Sequence, residues 1–495
     1  MTHIRRRAPR RSVRVGIIGA GFGGIAAAVK LQQRTSATFV VFEQSPEVGG
    51  TWYDNRYPGC EVDIPSHAYS FSFLKYDWSH THARQPELLR YAHEIVDAFG
   101  LRPHIRLNTK VTDVVWDDAA HHYVLRTDAG ETHTFDVVIS ALGLLNVPNH
   151  PDWPGLDDFQ GVSFHTSRWR EDVDMGGKRV AVVGTGSTAA QVVPGIAASV
   201  KSLLVFQREP GWVEPKRERP FSARERWIYR HVPGAQRLHR ARLFYQSIAR
   251  FKAYDATSRS QERKRRACVD YIERTVGDPA TREAVTPDYP WGCKRPVLAS
   301  TFYEALNLAH VDLVPHPVAS VTANGLVDSR GEHHEIDVLV MSTGFQPTKF
   351  LANLDVRGIG GRSIHDAWAE RASAFLGVTV AGFPNFFILY GPNTNGGFSI
   401  IAQLERQAEV AAKAVRRLES GPGYVDTDER IQQRYVRWID SQIARKASAM
   451  ESGCRNYYHS PGGKNITQWP GAHLKYLVVT RLLHRIGIRR IAVPR

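Results

Sequence analysis

Residues 13–24 read Val13-Arg14-Val15-Gly16-Ile17-Ile18-Gly19-Ala20-Gly21-Phe22-Gly23-Gly24. Val13 to Ile18 has the near-continuous apolar run of a buried strand. Three glycines follow at GxGxxG spacing, and Ile25-Ala26-Ala27-Ala28-Val29-Lys30-Leu31 reads as a helix. Phe39-Val40-Val41-Phe42 supplies the next strand, which ends at Glu43. This is a βαβ unit with a phosphate-binding turn at its first corner. Gly19 permits the tight turn, Gly21 lets backbone approach a pyrophosphate, and Gly24 lets helix and strand pack closely. Phe22 lies within this turn as a further expected cofactor contact, and the N-terminus of the helix that follows faces the phosphates. Glu43 stands where a carboxylate accepts hydrogen bonds from a ribose diol, which suits FAD or NAD. GxGxxG alone is a weak signal; with strand, helix and acid in place it becomes a specific one.

The pattern recurs. Arg179 to Val183 reads as a strand, and Gly184-Thr185-Gly186-Ser187-Thr188-Ala189-Ala190 gives GxGxxA before a helix. Leu203-Leu204-Val205-Phe206 is the next strand, but it ends in Gln207-Arg208 rather than an acid. A guanidinium there pairs with a ribose 2′-phosphate, which a carboxylate would repel. The first module therefore suits FAD and the second NADPH; a solvated surface arginine is the plain alternative for Arg208. The fold class expected is α/β, with two Rossmann-like dinucleotide-binding domains of the two-nucleotide flavoprotein type. Residues 1–150 would begin the FAD domain. Residues 151–330 would form the NADPH domain, carrying a helical insertion at about 216–285. Residues 331–495 would return to the FAD domain and add a C-terminal lid region.

A length of 495 residues agrees with two or three domains. No apolar run approaches the roughly 20 residues needed to span a bilayer. The basic N-terminus lacks an apolar segment and a cleavage site, so it reads as a tail rather than a secretory signal. The formal charge is +15, but Arg and Lys are spread along the chain and no nucleic-acid module stands out. Cys60, Cys268, Cys293 and Cys454 form neither a metal-ligand cluster nor a CxxC pair. No metal is expected, and a reducing cytoplasmic setting fits best.

Between the fingerprints, Gly49-Gly50-Thr51-Trp52-Tyr53-Asp54-Asn55-Arg56-Tyr57-Pro58-Gly59-Cys60 mixes glycines, a Pro-Gly turn and aromatics. Such a loop packs backbone against a flat ligand, or is a structured surface loop. Pro86 to Phe99 reads as a helix and 105–139 as a β-meander with a turn at Asp128-Ala129-Gly130. Tyr289 to Pro296 is a shaped loop bearing Lys294 and Arg295. Residues 302–308 read as a helix, and 311–314 and 335–341 as strands. Ser342-Thr343-Gly344 mirrors the exit Ser140-Ala141-Leu142-Gly143. Phe386 to Leu389 runs into a turn at Asn393, followed by helices at 399–417 and 436–445. Tyr457 to Trp469 either covers the site or is a lid without chemistry.

Together these residues resemble the flavin-dependent Baeyer–Villiger monooxygenases, within the class B flavoprotein monooxygenases. The family signature FxGxxxHxxx followed by Trp matches Phe159, Gly161, His165 and Trp169; Arg170 stands where Pro or Asp is usual. A second signature matches Gly49, Gly50, Trp52, Tyr57, Pro58, Gly59 and Asp63. Lys294-Arg295-Pro296 looks like the segment that carries the family's active arginine. The resemblance implies that NADPH reduces the flavin and that O₂ then gives a C4a-peroxyflavin. That species attacks a ketone, and the adduct rearranges to an ester or lactone. Arg295 would stabilise the anionic oxygens and Asp63 would hold it. Further cofactor contacts are expected from Thr51, Tyr53, Tyr69, Val111, Gln191 and Asn393. His165 is expected at the domain linker rather than in proton transfer. The alternative is oxidation of nitrogen or sulfur in a small substrate by the related monooxygenase route. The particular ketone and the oligomeric state are not legible.

Overall fold

The computed structural model describes residues 11–449, 456, 458–460 and 462–493. The basic segment 1–10 expected as a tail lies outside these residues, as do Cys454, Tyr457, Pro461 and the terminal Arg495.

Two five-stranded parallel sheets organise the chain. Across the first, the order is Phe386–Ile388, Val137–Ser140, Arg14–Ile18, Thr38–Phe42 and Ile105–Arg106. The helix Phe22–Arg34 connects two of these strands, and residues 22–31 are all buried. Its alanine-rich face lets it sit between the sheet and the later helix Ile400–Leu418. A Cβ on Gly24 would lie 1.8 Å from the Gly19 carbonyl oxygen, so no other residue lets the helix start this close.

The second sheet runs Val311–Val314, Ser202–Phe206, Arg179–Val183, Val338–Met341 and Val162–His165. Its switch point repeats the first. Gly19 (φ +101°) presses on the Ala141 carbonyl oxygen, 2.8 Å from where a Cβ would be. Gly184 (φ +119°) presses on the Ser342 oxygen at 2.4 Å. Each fingerprint thus opens beside the exit of the neighbouring strand, where chain order reverses and a crevice forms.

Several sequence expectations need correction. The meander is narrower than residues 105–139: Val111–Asp117, His122–Thr127 and Thr132–Phe135 pair antiparallel, but Ile105–Arg106 and Val137–Ser140 belong to the nucleotide sheet. Short apolar runs look alike whether the neighbour is local or distant. The helix expected at 302–308 shortens to Phe302–Ala305. The helix His473–Gly487 and the strand Ile488–Ile491, which pairs with Tyr424–Thr427, were not anticipated. The 216–285 segment is helical as expected, with Ala223–His231, Ala235–Phe251, Arg259–Thr275 and Pro279–Ala284. Among the described residues no helix is long and apolar enough to cross a membrane.

The two crossings between sheets run side by side. Asn149 N donates to Gly344 O at 2.8 Å, and Gln346 N to Val147 O at 2.9 Å. His165 closes the second sheet's edge strand next to this pair. Ser167 N donates to its Nδ1 at 3.1 Å, so the Nε2–H donates to Gly344 O at 3.0 Å. Gly161 has no room for a side chain: a Cβ would lie 2.5 Å from Asp337 O. Phe159 packs with the second core, and Trp169 meets Phe164 edge-on at 5.1 Å. Arg170 is exposed and paired with Asp172.

Burial pushes the His165 pKa from 6.5 down to about 4. The folded state therefore disfavours the imidazolium. The neutral ring's contribution is complete above the unfolded value and is lost as pH falls towards about 4. Urea titrations followed by circular dichroism are expected to show the stability advantage over a His165→Asn variant shrinking across that window. A pH-independent difference would contradict the assignment.

Candidate active site

A cavity of about 1040 Å³ is lined by residues of both modules. A smaller one of about 170 Å³ lies over the first fingerprint. The two share Thr51, Trp52, Tyr69, Leu145, Tyr390 and Ile400, and so form one trough.

The small end is walled by Gly19, Gly21, Phe22, Glu43, Gly50 and Val111. Gly50 (φ +54°) faces Gly21, and its Cβ would come 2.9 Å from the Gly21 Cα. Two backbone turns therefore meet with only hydrogen between them, leaving a cradle that side chains would fill. Glu43 is buried; its carboxylate accepts from Ala20 N at 2.7 Å and Ser45 N at 2.9 Å. It anchors the glycine turn while lining the cavity.

At the large end stand Gly184, Thr185, Gly186, Ser187, Thr188 and Gln191. A Cβ on Gly186 would meet nothing within 4 Å, so this backbone borders open space. Arg208 is exposed on the same wall. Lys294 pairs with Glu209, its ammonium 4.8 Å from the centre of the Tyr289 ring. Arg208, Glu209 and Lys294 thus line one cavity, two cations with one acid. The loop 57–60 docks here: a Cβ on Gly59 would lie 2.5 Å from Gln191 O.

Of three further expected contacts, Gln191 lines the large cavity, and Tyr53 and Asn393 line neither. The Gln191 amide faces the 57–61 loop, accepting from Tyr57 Oη at 3.2 Å and donating to Glu61 O at 3.2 Å. Tyr53 lies under the Arg56 guanidinium at 4.5 Å and lines neither cavity. Asn393 is buried and donates to Asn465 O at 3.1 Å and Gln468 O at 3.2 Å, fixing a turn. Its neighbour Asn395 lines the cavity instead.

Asp63 and Arg295 line the same cavity. Their expected pairing is not the one found: among the described residues Asp63 has an ion pair with Lys216 at 3.8 Å and none with Arg295. Lys216 is only 1% exposed and lies 2.7 Å from Glu61. A buried ammonium must be met by carboxylates, and Glu61 and Asp63 meet it here. Sequence reading missed Lys216 because Glu214-Pro215-Lys216-Arg217-Glu218-Arg219 reads as a solvated charge run. Burial raises the Glu61 pKa while Lys216 pulls it down. Burial also raises the Tyr69 phenol, against the pull of its hydrogen bond from Trp52 and of the nearby Arg295.

Burial pushes the Cys60 thiol up to about 12, so it is no nucleophile at neutral pH. Cys60 and Cys268 are free, but Cys293 is disulfide-bonded, so the expectation of a wholly reduced chain fails at that residue. Asn456, Tyr458 and His459 border the cavity, and Asn456 Nδ2 donates to Cys293 O at 3.3 Å.

Residues 16–226 match the family model described as pyridine nucleotide-disulphide oxidoreductase. A Baeyer-Villiger monooxygenase of Streptomyces coelicolor is 38% identical over 95% of this chain and 91% of its own length. Cyclohexanone monooxygenase from Rhodococcus sp. Phi1, solved bound to NADP⁺, superposes with a TM-score of 0.87 at 31% identity, covering 98% of this chain and all of that one. OTEMO in complex with FAD and NADP gives a TM-score of 0.84 at 28% identity, covering 97% of this chain and 100% of that one.

Replacing Lys216 by Met leaves Glu61 and Asp63 without their cation. A loss of about 3 kcal/mol in urea unfolding is expected near neutral pH, narrowing on acidification as the buried Glu61 takes up its proton. An unchanged unfolding midpoint would mean the ammonium is not buried between them.

Proposed function

The chain belongs to the Baeyer–Villiger monooxygenases, a family of flavoprotein oxidoreductases, and we propose that it inserts one oxygen atom of O₂ beside a ketone carbonyl. The product is an ester or lactone, and the cofactors are FAD and NADPH. Residues 1–150 and 331–495 are assigned to FAD and 151–330 to NADPH. The observation that carries this reading is the continuous trough that joins both glycine fingerprints to an exposed guanidinium, Arg295.

The residues fit both groups. Facing glycines 21 and 50 leave room for a pyrophosphate between two backbone turns. Glu43 stands for the adenosine ribose, and Trp52 and Tyr69 wall the shared stretch of the trough. Arg208 and Lys294 supply the cations for a 2′-phosphate, with Glu209 as the carboxylate that Lys294 leaves on binding. When bound, the two cofactors supply the hydride and the activation of oxygen.

The protein's part in the chemistry is electrostatic. Negative charge develops on oxygen as the ketone is attacked. A guanidinium keeps its proton at any working pH, so Arg295 offers fixed positive charge to that oxygen. Asp63 and Glu61 hold Lys216, a second cation behind the same cavity. Buried aromatic walls, Trp52, Tyr57 and Tyr458 among them, keep water from the reacting atoms.

A panel of ketones assayed by mass spectrometry under ¹⁸O₂ tests the proposal: an ester or lactone with one ¹⁸O is expected. Sulfoxide or N-oxide as the sole product would replace it with heteroatom oxidation. Arg295→Ala is expected to keep bound flavin and NADPH oxidation while ester formation falls about 100-fold or more. Undiminished ester formation would remove Arg295 from the chemistry. Arg208→Ala is expected to raise KM for NADPH about tenfold or more and leave KM for NADH nearly unchanged. Equal effects on the two would place Arg208 away from the 2′-phosphate.

A further inference from the structure

The helix His473–Gly487 buries Tyr476, Thr480, His484 and Gly487. That face packs on Ile400–Leu418: Arg406 Nε donates to Thr480 Oγ1 at 2.8 Å, and Gln407 Nε2 to Tyr476 Oη at 3.0 Å. Leu474, Val478, Leu482 and Ile486 recur at every fourth position, two places from the buried set, and so project from the far side. They are 55, 46, 64 and 56% exposed. Scattered exposed leucines are ordinary, but four along about 18 Å of one helix make a patch.

Charge is the second observation. Arg481 and Arg485 are exposed on the same helix, among the apolar side chains. Arg406, Lys413 and Arg417 on the neighbouring helix add to their field, and the nearby acid, Glu409, is shared between Arg34 at 3.4 Å and Lys413 at 3.8 Å. Burial and then repulsion from Arg406 and Arg485 lower the Lys413 pKa, and burial and Arg485 lower that of Arg417. The surface is therefore apolar and cationic at once, on a chain of formal charge +15.

A second copy meeting this face across a two-fold axis would set the cationic cluster against itself. A bilayer interface supplies what both features lack: phosphates for the arginines and acyl carbons for the stripe. We propose that the exposed face of His473–Gly487 is a docking surface for an anionic lipid bilayer. Leu474, Val478, Leu482 and Ile486 enter the boundary between headgroups and acyl chains. Arg481 and Arg485 meet the lipid phosphates. This contact is peripheral and independent of the substrate of the active site.

The flavin-loaded protein is sedimented with phosphatidylcholine vesicles, with and without phosphatidylglycerol. Binding is expected only to the anionic vesicles, weakening as salt rises. The double substitution Leu482→Ser/Ile486→Ser is expected to lower the partition coefficient about tenfold or more. Arg481→Gln/Arg485→Gln is expected to lower it and flatten its salt dependence. Both variants lie on the solvent face, so flavin content and NADPH oxidation are expected to be unchanged. Failure to pellet with anionic vesicles overturns the proposal, as does pelleting unaffected by the apolar substitutions. A dimer in sedimentation velocity that Leu482→Ser/Ile486→Ser dissociates also overturns it, with a second copy as the occupant.

Discussion

The molecule depends on a backbone contact made twice. Gly19 lies against the carbonyl of Ala141, and Gly184 against that of Ser342, both in a left-handed conformation. In each case a strand–turn–helix corner is pinned to the exit of a strand more than a hundred residues away in sequence. A side chain at either glycine would force those strand ends apart and fill the crevice between them. The same small-residue contact therefore closes the sheet and leaves the opening above it. Fold and nucleotide site are one constraint here, because the backbone that must pack closely is also the backbone a phosphate must approach.

The joint between modules is built on a related economy of space. Gly161 fits against Asp337 O, and His165 reaches Gly344 with one ring nitrogen while the other accepts from Ser167. Both nitrogens are engaged and burial keeps the ring uncharged at neutral pH. Its histidine chemistry is that of a rigid donor–acceptor bridge between an edge strand and a crossing segment. Arg168 adds a second tie, 3.1 Å from Asp54 in the helix that follows Gly50. The 159–169 stretch thus touches the first module through an ion pair and the second through a sheet. That suits a segment that coordinates two nucleotide sites better than one that performs chemistry.

What was legible in the sequence follows from range. Strand, turn and helix at each fingerprint are decided within about 30 residues, and their boundaries fell within a few positions. The insertion's helices were legible for the same reason. Pairings across the chain were not. Ile105–Arg106 could join a meander or a distant sheet, and only packing chose. Asp63 was assigned to Arg295 by resemblance, yet the structure gives it Lys216, since a buried ammonium has the stronger need of a counter-charge. Asn393 fixes a turn and lines neither cavity, while Gln191 lines the larger one with its amide tied to the 57–61 loop. Local pattern specifies which groups can bond. Burial, which depends on distant segments, specifies which of them must.

Burial also accounts for how one cavity can hold cations of different use. Lys216 is sealed from water and fixed by Glu61 and Asp63, so its charge is steady and largely cancelled. Lys294 is half-exposed and held by a single acid, Glu209, which a phosphate can displace. Arg295 is exposed on the same cavity. A cation that is fully compensated shapes a site; one that is held by a single acid can exchange partners. The two carboxylates on the 61–63 loop are thus engaged by the buried lysine, while Arg295 lines the cavity they border.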